Sequence, residues 1–291
     1  MNEQAIVFDC KGSSLLGVLH NAEASKNVGV VIVVAGGPQY RVGVSRQFVN
    51  LSRLLASNGI PVLRFDHRGT GDSQGQYAGY IDMADDIRSA IDVLMQSNPH
   101  LERVVLWGEC ESATALSFYG HTDSRVSGLF MVNPWIRTDA GEAKTYIKHY
   151  YLSRLSDKEF WKKVFSGKFA FGESIRSFLN LVSRARNKEA GLSATEKSVD
   201  YEWLAQLDLP DRVEKTMELY QGKSFILTSG NDLIAQEFKD HIAKSEGWQK
   251  ILKDHAITLS DIADADHSFS RSDWREILFN SVLQWVQDEH A

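Results

Sequence analysis

The sequence predicts an α/β protein, with a mostly parallel central sheet, helices on both faces and a helical cap insertion. Three observations carry this. Short β-branched runs alternate along the chain with segments of helical hydrophobic spacing. One run, VGVVIVVAGG at 28–37, is apolar almost throughout, the pattern of a parallel strand buried on both faces. Between 135 and 205 the strand patterns stop, and aromatic-rich helical stretches such as KTYIKHYYLSRL and KEFWKKVFSGKFAF replace them.

The elements follow in order. QAIVFDCKGSSLLGVLHN (4–21) alternates and turns at Lys11-Gly12-Ser13, which reads as a two-strand hairpin. After the 28–37 strand, SRQFVNLSRLLASNG (45–59) puts Phe48, Leu51, Leu54 and Leu55 on one helical face, with Gly59 as the stop. IPVLRFD (60–66) is the next strand, and its Pro61 sits near the start, where proline is tolerated. A helix at 83–98, a strand at 103–108, a helix at 112–120 and a strand at 126–134 continue the alternation. Beyond the insertion come a strand at 223–230, a helix from about 234 to 245, a strand at 256–263 and a closing helix at 273–287. The expected organisation is a core of 1–134 and 206–291 and a cap or lid of 135–205.

Composition narrows the function. With 43% hydrophobic and 24% charged residues, the chain can fill an ordinary core, and a net charge of −6 argues against a nucleic-acid partner. Residues 134–205 carry 13 Lys/Arg against 9 Asp/Glu, so the insertion is basic over an acidic core. No apolar run is long enough for a membrane span, and the N-terminus lacks the pattern of a signal peptide. The two cysteines, Cys10 and Cys110, fall in an edge hairpin and a central turn. The expectation is therefore two free thiols and a cytoplasmic setting. The histidines show no metal-ligand spacing, and the glycine-rich stretches match neither phosphate-loop nor dinucleotide patterns; no metal and no cofactor are expected.

The chemistry concentrates at VVLWGECESATAL (104–116). Gly108-Glu109-Cys110-Glu111-Ser112 fits a strand-to-helix nucleophile elbow, G-x-S-x-G, with Cys in place of Ser and Ser in place of the last Gly. So tight a turn needs small residues two before and two after the nucleophile, and Gly108 and Ser112 meet that need. Asp232 follows the 223–230 strand, and His267 lies in the loop before the last helix. Nucleophile, acid and base thus take the chain order of a Cys110–Asp232–His267 triad. The alternatives are a turn or N-cap role for Asp232 and a surface loop position for His267. The oxyanion donors expected are the N–H groups of Glu111 and Gly37, since Pro38 has none. Glu109 and Glu111 flank the nucleophile and are read as facing solvent or pairing with the cap. His67 is read as structural. The aromatics from Tyr146 to Phe171 are read as the core of the cap, with an acyl-pocket lining as the alternative.

FDHRGTGDSQG (65–75) looks like the D-x-R-G-x-G-x-S loop of α/β-hydrolases, and VVAGGPQYRVGVSRQF (33–48) resembles their oxyanion loop. With the cysteine elbow, the whole chain resembles the exosortase-associated α/β-hydrolases of exopolysaccharide gene clusters, the first of two types. The match is most specific at 35–49, 64–73, 106–114 and 228–233. The resemblance implies the α/β-hydrolase fold and a hydrolase. The residues lead to a Cys-dependent enzyme that cleaves a carboxylic ester or thioester through an acyl-enzyme on Cys110. Its partner would be a small acyl ester or thioester, and the basic cap suits an anionic carrier. An acyltransferase of polysaccharide or lipid precursors and a non-catalytic ligand-binding homologue stay open; oligomeric state is not set by the sequence.

Overall fold

In the computed structural model the described residues are 2–23, 26–35, 39–138 and 202–290. The hairpin forms from β1 (Asn2–Cys10) and β2 (Ser13–Asn21). The other strands are β3 (Val28–Val33), β4 (Val62–Phe65), β5 (Arg103–Glu109), β6 (Val126–Val132), β7 (Lys223–Ser229) and β8 (Ile257–Ile262). They make one sheet in the order β1-β2-β4-β3-β5-β6-β7-β8. β1, β2 and β4 pair antiparallel, and every pair from β4–β3 to β7–β8 is parallel. The helices are α1 (Gln47–Ser57), α2 (Ala84–Ser97), α3 (Glu111–Gly120), α4 (Leu209–Leu219), α5 (Leu233–Lys244), α6 (Glu246–Asp254) and α7 (Ser272–His290).

Strand alternation sorts the core into two layers. Val30 and Ile32 of β3, with Val105 and Trp107 of β5, face α1 and α7. Val31 and Val33, with Val104 and Leu106, face α2, α3, α5 and α6. This two-sided burial is why 28–37 reads as continuously apolar. α7 supplies Leu278, Val282, Trp285 and Val286 at helical spacing, and Trp285 stands edge-on to the stacked rings of Phe130 and Phe225. α6 was missed by the sequence reading. Ser245 ends α5 and caps α6, its hydroxyl accepting from the Trp248 N–H at 3.1 Å, so the helical pattern restarts without a linker. The cap expected at 135–205 lies almost wholly outside the described residues.

The loop after β4 fastens the molecule above the strand ends. Asp66, with no exposure, accepts from the Arg41 N–H at 2.6 Å and the Asp72 N–H at 3.1 Å, and pairs with the Arg41 guanidinium. A Cβ at Gly71 would lie 2.2 Å from Asp66 Oδ2, and φ there is 53°, so only glycine lets the loop fold onto this carboxylate. Arg68 clasps Asp86 of α2 with a bond at 2.7 Å. His67 is buried, stacked on Tyr77 and within 3.3 Å of the Thr70 hydroxyl, in keeping with its structural reading. On the hairpin side, Arg64 donates to His20 at 2.9 Å and to the Arg41 carbonyl at 3.1 Å. Burial, then the Arg64 charge, holds His20 down to about 4, so the ring is the neutral acceptor this contact needs.

Removing a buried partner strands the other, at a cost of about 3 kcal/mol. Asp66→Ala is expected to lose about that much in urea unfolding and to loosen the 39–46 loop to proteolysis; an unchanged midpoint would refute the tie.

Candidate active site

β5 ends at Glu109 and α3 begins at Glu111, so Cys110 alone makes the turn, at φ 60° and ψ −124°. A side chain is rarely held there, and such backbone costs about 1–3 kcal/mol. Neighbouring bonds impose it. The Cys110 N–H donates to Val132 O at 2.8 Å, and its carbonyl accepts from Thr114 and Trp135 N–H groups, both at 3.3 Å. The buried Ser112 hydroxyl accepts from Glu109 N–H at 2.9 Å and donates to Glu109 O at 2.8 Å, stapling the elbow shut. A Cβ at Gly108 would stand 2.9 Å from the carbonyl carbon of Ser112. Both small-residue requirements read from the sequence therefore have a physical basis.

Asp232 and His267 converge on this tip. Asp232 sits between β7 and α5, 7% exposed, and His267 Nδ1 lies 2.7 Å from its Oδ2. Asp232 is also the N-cap of α5, accepting from Ile234 N–H at 3.0 Å and Ala235 N–H at 3.3 Å. The cap and acid readings are thus compatible at one residue, because the helix amides hold the carboxylate still while one oxygen meets the ring. Burial opposes a charged His267 ring, but the Asp232 hydrogen bond, with Asp232 and Cys110 as neighbours, outweighs it and pushes its pKa up to about 10.

The histidine loop is anchored by residues the sequence reading passed over. Asn133, buried at φ 46° after β6, donates to His267 O at 3.2 Å and to Ser229 Oγ at 2.6 Å, and accepts from Ser229 N–H at 2.8 Å. Asn231 N–H donates to Ala265 O at 2.9 Å, and Asp266 binds the Ser268 and Ser270 N–H groups at 3.2 and 3.0 Å. The signal was present in the asparagine that closes GLFMVN, since asparagine tolerates positive φ.

Of the two oxyanion donors expected, Glu111 supplies the first N–H of α3, beside Cys110, while Gly37 lies outside the described residues. Glu111 is half-buried; burial first, and then its charge, pushes the Tyr77 hydroxyl up from its ordinary value and that of Tyr80 up to about 12. For Glu109 the sequence reading is corrected. Its side chain is 2% exposed and accepts from Gln47 Nε2 of α1 at 2.6 Å. The reason is parity: residues 105, 107 and 109 share the face of β5 that packs under α1 and α7, so Glu109 points into the protein. Burial pushes its pKa up to about 7, against the opposing pull of the His267 charge and the Gln47 hydrogen bond. The aromatic run 146–171 lies outside the described residues. Among the described residues no cluster of His, Cys, Asp and Glu could hold a metal ion, and no helix is long and apolar enough to cross a membrane.

Residues 25–244 match the family described as serine aminopeptidase, S33. An esterase of Pyrococcus furiosus superposes over 100% of this chain and 92% of its own, with TM-score 0.64 and 13% identity. Est1E of Butyrivibrio proteoclasticus, solved with ferulic acid bound, covers 98% of this chain and 99% of its own, with TM-score 0.61 and 15% identity. At such identities the likeness is one of fold. An uncharacterized protein of Rickettsia prowazekii is 32% identical over 85 residues, a stretch that spans 29% of this chain and 36% of that protein. The family description names a serine enzyme, and this chain has Cys110 at the elbow.

The Glu109 shift sets a pH dependence. With a pKa of about 7 against an ordinary 4.5, the folded protein keeps a proton that the unfolded chain releases between those values. The stability this group confers is full below the lower value and lost as pH rises through about 7, a change of about 3 kcal/mol. Glu109→Gln is expected to gain on the wild type by about that amount between about pH 5 and about pH 8 in urea unfolding. Parallel stability curves would contradict the buried carboxyl.

Proposed function

Because the chain belongs to the α/β-hydrolase family described as serine aminopeptidase, S33, we propose that it cleaves a carboxylic ester or thioester through an acyl-enzyme on Cys110. The observation that carries this reading is the strained turn at Cys110 beside the His267–Asp232 pair, in which the ring Nδ1 meets the carboxylate at 2.7 Å. The proton of the Cys110 thiol passes to His267 Nε2, while Asp232 holds the Nδ1 side of the ring. The thiolate attacks the acyl carbon. The carbonyl oxygen gains charge beside the Glu111 N–H, with Gly37 N–H as the second donor. As the tetrahedral species collapses, the bond to the leaving alcohol or thiol breaks and the imidazolium returns its proton to that group. Water then attacks the thioester, gives its proton to His267, and the acid leaves as Cys110 is regenerated.

The cysteine favours esters and thioesters over amides. A thiolate departs from the tetrahedral species more readily than an amine does, so an amide adduct tends to collapse back to substrate. The thioester intermediate is also open to an alcohol or amine acceptor, which keeps acyl transfer as the second reading. The exosortase-associated type rests on the motifs at 35–49, 64–73, 106–114 and 228–233. A cytoplasmic setting and a substrate on an anionic carrier are likewise supported by sequence alone, the latter by the basic charge of 134–205.

The test is intact mass after mixing the protein with p-nitrophenyl acetate and, separately, with acetyl-, octanoyl- and palmitoyl-CoA. An acyl adduct is expected on the wild type and none on Cys110→Ala. His267→Gln should slow acylation by at least about 100-fold, the usual worth of a general base. Folded protein with neither adduct nor turnover from any of these donors would overturn the reading.

A further inference from the structure

His267 and Asp232 lie on different loops, the first between β8 and α7, the second between β7 and α5. Their side chains meet at 2.7 Å, so something must hold the two main chains in register. Among the described residues, the His267 main chain is held by a single bond, from Asn133 Nδ2 to its carbonyl at 3.2 Å. The flanking ties stop short of it. Asn231 N–H reaches Ala265 O at 2.9 Å, and Arg275 reaches the Phe269 and Ser270 carbonyls at 3.1 and 2.8 Å. Asn133 has no exposure, so its polar atoms need partners. The Ser229 N–H donates to its Oδ1 at 2.8 Å, and only the oxygen of the amide can accept, which sets the amide one way round. Nδ2 is thereby aimed at Ser229 Oγ, at 2.6 Å, and at the His267 carbonyl, and both of its protons are used. The neighbours of Asn133 hold the nucleophile as well. Val132 O takes the Cys110 N–H at 2.8 Å, and past the positive φ of Asn133 the Trp135 N–H meets Cys110 O at 3.3 Å.

We propose that Asn133 is a positioning residue of the reaction: clamped on Ser229, its amide sets where the His267 main chain stands over the end of β7, and so holds the imidazole on Asp232. This rests on the reading of Cys110, His267 and Asp232 as the reacting set. Ser229 and Asp232 are three residues apart at the end of one strand, so a clamp between Ser229 and His267 fixes the acid and the base relative to each other. The step it serves moves one proton. The S–H bond of Cys110 breaks, its electron pair stays on sulfur, and an N–H bond forms on His267 Nε2. Such a step depends closely on placement, and a shift of about 1 Å can cost about 100-fold in rate. The Asp232 bond alone holds only the ring, at the end of a main chain that could slide. A glycine at 133 would keep the positive φ and lose every side-chain bond. An aspartate would still accept from Ser229 but could not donate to the His267 carbonyl. These two substitutions separate the clamp from the turn.

The experiment is NMR of imidazole-labelled protein, following exchange with water of the His267 Nδ1 proton that Asp232 accepts. The signal is assigned through His267→Gln, and Asp232→Asn is the reference for loss of the direct partner. Asn133→Gly is expected to speed this exchange by at least about fivefold, the worth of one net hydrogen bond. Asn133→Asp should act in the same direction and carries the test should Asn133→Gly not fold. With p-nitrophenyl acetate, both variants should lower the rate of acylation by at least about tenfold, as misplaced groups do, and leave KM within about twofold of the wild type. A purely structural clamp would lower the unfolding midpoint and leave the His267 proton as it is in folded protein, and that result would overturn the proposal. The exchange measurement uses no acyl donor. A wild type that fails to acylate, with the His267 proton still dependent on Asn133, would therefore fault the reaction. Acylation with a His267 proton indifferent to Asn133 would fault Asn133.

Discussion

Everything at the site follows from one turn. Between the last residue of β5 and the first of α3 the chain has a single residue in which to reverse, and that residue is Cys110 at positive φ. L-residues resist this geometry, so the surroundings must enforce it. The Ser112 hydroxyl grips both backbone groups of Glu109, Val132 takes the Cys110 N–H, and the absent side chain of Gly108 leaves α3 room to start. The turn lifts the sulfur above the strand ends and places the first N–H of the helix beside it. It also fixes the parity of Glu109, which is thereby buried.

The second constraint is economy at the strand ends. Asp232 caps a helix and orients an imidazole with the same two oxygens, so the stability of α5 and the placing of His267 depend on one residue. Asn133 joins the ends of β6 and β7 to the histidine loop. Asp66 performs the equivalent task for the loop that leads into α1, through Arg41. These polar clamps are hydrogen-bonded on several sides, which fixes the distances between the loops at the strand ends.

The sheet was legible because a strand buried on both faces leaves a run such as VGVVIV that no amphipathic helix would produce. The elbow, Asp232 and His267 were legible because their chain order and their places at strand ends are dictated by connectivity. What escaped was lateral. Gln47 and Glu109 are 62 residues apart, and no local pattern announces their bond. The face of Glu109 could have been counted from Trp107 two residues earlier; the expectation that charge seeks solvent prevailed over strand alternation. Asn133 carries no local signal of its role because its two partners, Ser229 and His267, lie about a hundred residues or more downstream. α6 was lost because one serine both ends a helix and starts the next.

The most direct test of Cys110 and His267 as one reacting unit is the rate of Cys110 carboxamidomethylation by iodoacetamide. It would be followed by peptide mass at about pH 6, with the buried Cys10 as internal reference. Cys110 is predicted to react faster than a cysteine of the urea-unfolded chain, Cys10 to stay unmodified, and His267→Gln to slow Cys110 by at least about tenfold, the effect of losing one opposite charge. A Cys110 no faster than the unfolded thiol, or indifferent to His267, would contradict the account.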